Sequence, residues 1–239
     1  MSLPGRIALV GSGEYLPVMH EVESMLLAGR PPRYVQLATA AAPEGEASLR
    51  HWHQLGAEAA ERLGVEQVII DVRTRADAED PEWARRIEGA GLIYLSGGSP
   101  SFLAQTLAGT GVWRSISEQW RSGASLAGCS AGAMALAGHV ADFRHPRRGG
   151  TPGLGVLPGI RVLPHFDRMS KWVPEFAIHA AFAGEARVIG VDEDTALVGE
   201  PSAAEHWSFT VMGRQAAWIV APEQRTRIDS AIELAVATA

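Results

Sequence analysis

A chain of 239 residues with 46% hydrophobic and 20% charged residues is long enough to bury a full core, and its composition excludes intrinsic disorder. A net charge of -6 argues against a general nucleic-acid or anionic-membrane binder. Cys129 is the sole cysteine, so no internal disulfide can form, and a reducing cytoplasmic setting is expected. The first residues, Met1 to Arg6, lack a basic region followed by a signal-length apolar stretch. No segment is apolar for long enough to span a bilayer; the richest, Ala124 to Val140, is broken by Gly and Ser. The length suits one domain over 1–239.

Arg6 to Val10 reads as a buried first strand that ends in Gly11-Ser12-Gly13. A helix from Pro17 to Ala28 follows, stopped by Gly29. Tyr34 to Leu37 is a second strand. Leu49, Trp52, Leu55, Ala59 and Leu63 recur at helical spacing across Gly45 to Leu63, and Gly64 closes that helix. Gln67 to Ile70 is a third strand, Pro81 to Ile87 a helix, and Gly91 to Leu95 a fourth strand. Helices over Ser99 to Leu107 and Val112 to Trp120 lead to a fifth strand, Ser125 to Cys129. These strands are continuous apolar runs, so both faces should be covered. That predicts an α/β fold with a mostly parallel sheet and helices on both faces.

Arg144 to Gly159 reads as a surface loop, basic in its first half. Ile160 to Leu163 is a strand ending at Pro164-His165-Phe166, and a helix over Val173 to Phe182 follows. Arg187 to Val191 is a strand that runs into Asp192-Glu193-Asp194. Thr195 to Gly199, His206 to Val211 and Ala216 to Val220 predict a small antiparallel C-terminal extension. Arg225 to Val236 is expected to be a closing helix.

Gly128-Cys129-Ser130-Ala131-Gly132 is the pattern of a strand, a tight turn and a helix. Small neighbours leave room for a strained turn residue, so Ser130 is the candidate nucleophile, with a plain capping serine as the alternative. Cys129 belongs to the strand and is expected to pack inward as a structural thiol. The backbone N–H of Ala131 could serve an oxyanion, and the Gly97-Gly98 pair after the fourth strand could give a second N–H. Among the eight histidines, His165 follows a strand end, where a site at the carboxyl edge would begin. Asp192, Glu193 and Asp194 follow another strand end, and Asp142 is a rival acid. Neighbouring side chains on extended backbone point opposite ways, so not all of the three can face one site. No metal-ligand spacing, phosphate loop or complete dinucleotide fingerprint is present, so neither a metal nor a cofactor is expected.

The ordered motifs resemble the peptidase E and cyanophycinase family of serine peptidases, built on a flavodoxin-like, class I glutamine amidotransferase-like fold. The matching pieces are Gly11-Ser-Gly-Glu14, Gly91-Leu-Ile-Tyr-Leu-Ser-Gly-Gly98, Gly128-Cys-Ser-Ala-Gly-Ala133, and Gly153-Leu-Gly-Val-Leu-Pro-Gly159 with His165-Phe166. Gly190-Val-Asp-Glu-Asp-Thr-Ala-Leu197 completes the series. The resemblance implies Ser130 as nucleophile, His165 as general base and Glu193 as orienting acid. Gly98 and Ala131 would form the oxyanion hole, and a small peptide would be the substrate. It places Ser99 and Arg168 among the substrate-binding positions. There the chain departs from the family, reading Ser99-Pro100 after the Gly-Gly pair and keeping only Arg168 where cyanophycinases carry paired arginines. A base that must be neutral predicts activity that falls at acidic pH. Two further readings of the same residues are a non-catalytic ligand binder of this fold and an esterase using Ser130. The seven tryptophans and apolar helices could support a homodimer.

Overall fold

The computed structural model describes residues 3–142, 150–172, 186–203, 206–221, 224–228 and 230–235. Strand and helix alternate through the first half. The elements are β1 (Ile7–Val10), α1 (His20–Leu27), β2 (Arg33–Leu37), α2 (Glu46–Leu63), β3 (Glu66–Ile69), α3 (Pro81–Arg86) and β4 (Leu92–Leu95). They continue with α4 (Pro100–Leu107), α5 (Gly111–Arg121), β5 (Ser125–Cys129) and α6 (Ala131–Leu136). The second half holds β6 (His139–Val140), β7 (Thr151–Pro152), β8 (Ile160–Leu163), α7 (Phe166–Trp172) and β9 (Arg187–Val191). It ends with β10 (Thr195–Ala203), β11 (His206–Gly213), β12 (Ala217–Ala221), β13 (Gln224–Ile228) and β14 (Ala231–Ala235).

Helix limits follow local chemistry. Asp80 caps α3 by accepting from the Glu82 N–H, with Pro81 as first residue. Thr110 caps α5 by accepting from the Trp113 N–H. Gly64 ends α2 in the left-handed conformation, its N–H reaching the carbonyls of Ala60 and Glu61.

The large sheet has eight strands in the order β14-β11-β10-β1-β5-β4-β2-β3. Its β1, β5, β4, β2 and β3 are parallel, whereas β10, β11 and β14 add antiparallel to the free side of β1. Strand pleat sorts the residues of β1 between two cores. Ile7 and Leu9 join Val35, Leu37, Ile93 and Leu126 on one face, beneath α4, α5 and α6. Ala8 and Val10 join Tyr34, Tyr94 and Cys129 on the other, beneath α1 and α2. This is the two-sided α/β arrangement that the apolar runs predict.

Three features differ from the sequence expectations. First, β8 and β9 do not enter the large sheet. They pair in parallel within a second sheet, ordered β13-β12-β9-β8. Second, the expected closing helix over Arg225 to Val236 is absent. β13 pairs antiparallel with β12, and β14 pairs antiparallel with β11, so this segment completes one edge of each sheet. Ladder hydrogen bonds to two waiting edges outweigh a weak local helical pattern. Third, the later part of the expected surface loop is packed inward: Leu154, Val156 and Leu157 are buried. The backbone passes so close to Ala137 that a Cβ on Gly153 would lie 2.0 Å from its carbonyl oxygen. The basic run 143–149 and the helix expected over Val173 to Phe182 lie outside the described residues.

Candidate active site

Ser130 stands between β5 and α6 with φ 49° and ψ −107°, a conformation that L-residues rarely adopt. Its neighbours permit this because they carry no side chain. A Cβ on Gly128 would lie 2.5 Å from the Gly132 carbonyl carbon, and one on Gly132 would lie 2.2 Å from the Leu95 carbonyl oxygen. The turn is pinned by the Ser130 N–H, which donates to the Val10 carbonyl at 2.9 Å. Ala131 opens α6, so its N–H is among the donors that no helical carbonyl can satisfy.

His165 also has a positive φ, 48°. It follows β8 and precedes α7, and its carbonyl accepts from the Arg168 and Met169 N–H groups. The next residue, Phe166, is buried against Gly190 of β9, where a Cβ would come within 2.6 Å of the ring. Phe166 thus fixes the chain, and His165 projects to the side. Its Nε2 lies 3.0 Å from Ser130 Oγ, and its Nδ1 lies 3.0 Å from Glu193 Oε1. A hydrogen on Nδ1 donated to Glu193 leaves Nε2 free to accept from the serine hydroxyl.

The three consecutive acids point to three different places. Asp192 is buried and accepts from Trp218 Nε1 and the Ala216 N–H, and its burial raises the carboxyl pKa. Asp194 pairs with Arg214 at 3.3 Å, and its N–H donates to Ser12 Oγ. Glu193 alone of the three meets the imidazole, and Asp142 is not the partner of His165 Nδ1. The Glu193 backbone is held at both ends: its N–H donates to Asp167 Oδ1 at 2.9 Å, and its carbonyl accepts from Thr195 Oγ1 and Gln215 Nε2.

Arg168 Nε lies 2.8 Å from Glu193 Oε2. The structure therefore places Arg168 behind the acid, on the carboxylate oxygen that His165 does not use. Segment 165–168 touches Glu193 three times, through the His165 ring, the Asp167 carboxylate and the Arg168 guanidinium. Ser99 is the first residue before α4, its side chain makes no capping bond, and it does not line the cavity beside Ser130.

The Gly97-Gly98 loop approaches Ser130 from β4. The Gly97 N–H donates to Glu14 Oε1 at 3.0 Å, and the Ser99 N–H donates to the Ala40 carbonyl at 2.8 Å. Gly98 sits between them at φ 133°, where a Cβ would lie 2.3 Å from the Ala40 carbonyl oxygen. Glu14 Oε2 accepts from the Cys129 thiol. Burial and the facing Glu14 carboxylate push that thiol pKa well up, which fits a structural cysteine and not a nucleophile.

Loops after β1, β4 and β5 open into one cavity of about 400 Å³, as their placement at strand ends predicts. Ser12, Gly98, Ser130 and His165 line it, and so do Leu16, Trp52 and Leu55. The last three were not legible as site residues. Trp52 and Leu55 read as an ordinary apolar helix stripe, and nothing local separates a stripe that lines a cleft from one that fills a core. Among the described residues, no group of three or more His, Cys, Asp or Glu side chains is placed to hold a metal ion, and no helix is long and apolar enough to cross a membrane.

The chain is similar to proteins of one family. The sequence profile of peptidase family S51 matches residues 14–206. A crystal structure of a peptidase from an acI-B1 Actinobacterium is 40% identical and superposes with a TM-score of 0.88, covering 98% of this chain and 97% of that one. A putative peptidase E protein from Listeria monocytogenes, 18% identical over 97% of this chain and 98% of that one, shares the fold with a TM-score of 0.58. The cyanophycinase of Trichormus variabilis is 30% identical over 216 residues, 83% of this chain and 67% of that protein. Profile, relatives and architecture converge: the chain belongs to peptidase family S51 and is a serine-type peptidase.

Proposed function

We propose that the protein hydrolyses small peptides through an acyl-enzyme formed on Ser130, with His165 as general base and Glu193 as orienting acid. The observation that carries this reading is the His165 ring, hydrogen-bonded at 3.0 Å to Ser130 on one nitrogen and to Glu193 on the other. Ser130 Oγ attacks the peptide carbonyl as its proton passes to His165 Nε2. Glu193 stabilises the imidazolium that results and keeps Nδ1 as a donor. The carbonyl oxygen gains negative charge, which the N–H groups of Gly98 and Ala131 receive. His165 then gives its proton to the leaving amine. In the second half, His165 deprotonates a water that attacks the acyl group, and Ser130 is regenerated.

Arg168 supports the acid in this scheme, its Nε lying on Glu193 Oε2. The test is covalent labelling by a small fluorophosphonate together with turnover of a dipeptide and tripeptide library. Ser130→Ala is expected to abolish labelling and to lower turnover by about 10⁴-fold or more. Equal labelling of the two proteins would overturn the assignment.

A further inference from the structure

Ser130 opens onto a cavity of about 400 Å³ with a largely apolar lining. Leu16, Trp52 and Leu55 supply that apolar lining, with the His51 ring beside Trp52. Leu16 is 39% exposed, one of two large hydrophobic residues so exposed among the described residues. An exposed leucine at the mouth of a cleft is informative, since apolar surface there gains from being covered by a ligand.

The lining is held in place. Trp52 packs edge-on against Tyr15 with ring centroids 6.2 Å apart, and its carbonyl accepts from Gln36 Nε2 at 2.7 Å. Charge, by contrast, is scarce. No lysine or arginine lines the cavity among the described residues. Glu14 is the lining carboxylate, and both of its oxygens already accept from within the protein, one from the Gly97 N–H and the other from the Cys129 thiol. Among the described lining residues, an acidic substrate side chain would meet no lysine or arginine, only the imidazoles of His51 and His165. A basic one would compete for a carboxylate that the loop structure uses. Burying either charge against Trp52 and the two leucines is unfavourable.

We infer that this cavity selects a large apolar side chain, leucine, methionine or phenylalanine, on a residue flanking the scissile bond. The inference rests on Ser130 as nucleophile and adds the substrate class. Trp52 and Leu16 are then specificity-determining residues.

The experiment compares kcat/KM across short peptides varied at both positions beside the cleaved bond, with fluorophosphonate labelling of the same preparation run in parallel. Leucine, methionine or phenylalanine at one of these positions is expected to exceed aspartate, glutamate, lysine and arginine by at least about ten-fold, the discrimination an apolar pocket supplies. Trp52→Ala should reduce the ratio of phenylalanine to alanine peptides by about ten-fold or more, a ratio that does not depend on how much of the variant folds. Leu16→Arg, at an exposed position, should raise the ratio of acidic to apolar peptides. Labelling of Ser130 combined with preferred cleavage beside charged residues, or with turnover of no peptide, overturns the inference and leaves the nucleophile standing. Absence of Ser130 labelling removes both.

Discussion

Glu14 holds the Gly97 N–H on one carboxylate oxygen and the Cys129 thiol on the other. It thereby ties the loop after β1 to the loop after β4 and to the last residue before Ser130. A carboxylate with such partners sets the distance between the Gly98 N–H and Ser130, the proposed nucleophile. Glu14→Ala is expected to slow fluorophosphonate labelling of Ser130 by about 10²-fold, the cost of misplacing one oxyanion donor. Glu14→Gln keeps an acceptor for Gly97 and should fall between. Second-order labelling rates measure this, and unchanged rates in both variants would show that the loop holds without Glu14.

Glu193→Gln retains the size of the side chain and removes its charge. A neutral amide stabilises the imidazolium poorly, so kcat should fall by about 10²- to 10⁴-fold with little change in KM. Steady-state kinetics on a cleaved peptide would reveal it.

Arg168→Ala removes a positive charge from the far side of Glu193. With that partner gone, the carboxylate proposed to orient His165 is held less firmly, so kcat should fall with little change in KM. A substrate-contacting arginine would instead raise KM.

Glu23 is a buried residue of α1, accepting from the Tyr34 hydroxyl and the Tyr15 N–H on Oε1, while Oε2 has no hydrogen-bond partner among the described residues. Burial pushes its pKa from 4.5 to about 7. The folded protein thus holds a proton that the unfolded chain releases, so its contribution is fully present below pH 4.5 and is lost as pH rises through about 7. Unfolding free energy should decline over that window by an amount on the order of 3 kcal/mol. Glu23→Gln should flatten the decline in urea titrations taken at successive pH values. A wild-type profile without this slope would mean that Glu23 folds ionised.

Gly190→Ala would place a methyl group 2.6 Å from the Phe166 ring, beside His165. Overpacking of this kind costs about 1–3 kcal/mol. Activity should fall further than stability does, because the ring that must shift is the neighbour of the base. Thermal unfolding and turnover measured on the same preparation separate the two effects.

How much of this was readable in the sequence varies by residue, for physical reasons. The turn at Ser130 was legible because its constraint is local: only glycine at positions 128 and 132 admits the close approaches to Gly132 and Leu95. The parallel strands were legible because burial on both faces demands continuous apolar runs. Glu193 was not separable from Asp192 and Asp194 by local pattern. Its direction is set by bonds from Asp167, Thr195 and Gln215, the first and last of them distant in the chain. The two C-terminal strands were misread as a helix because the edges they complete, β11 and β12, are supplied by other segments.

Ser130 follows β5 of the large sheet, whereas His165 and Glu193 follow β8 and β9 of the smaller one. One crossing between the sheets runs from β9 through Asp194, at φ 52°, into β10. In the proposed triad, alignment is therefore a property of the seam between two slabs, not of either slab alone. A substitution at Val191 or Leu197, both buried beside this crossing, is expected to alter the distance between His165 and Ser130. For the same reason, transplanting the Ser130 turn into another α/β scaffold would carry over the strained serine and leave behind the half of the machine that gives it a base.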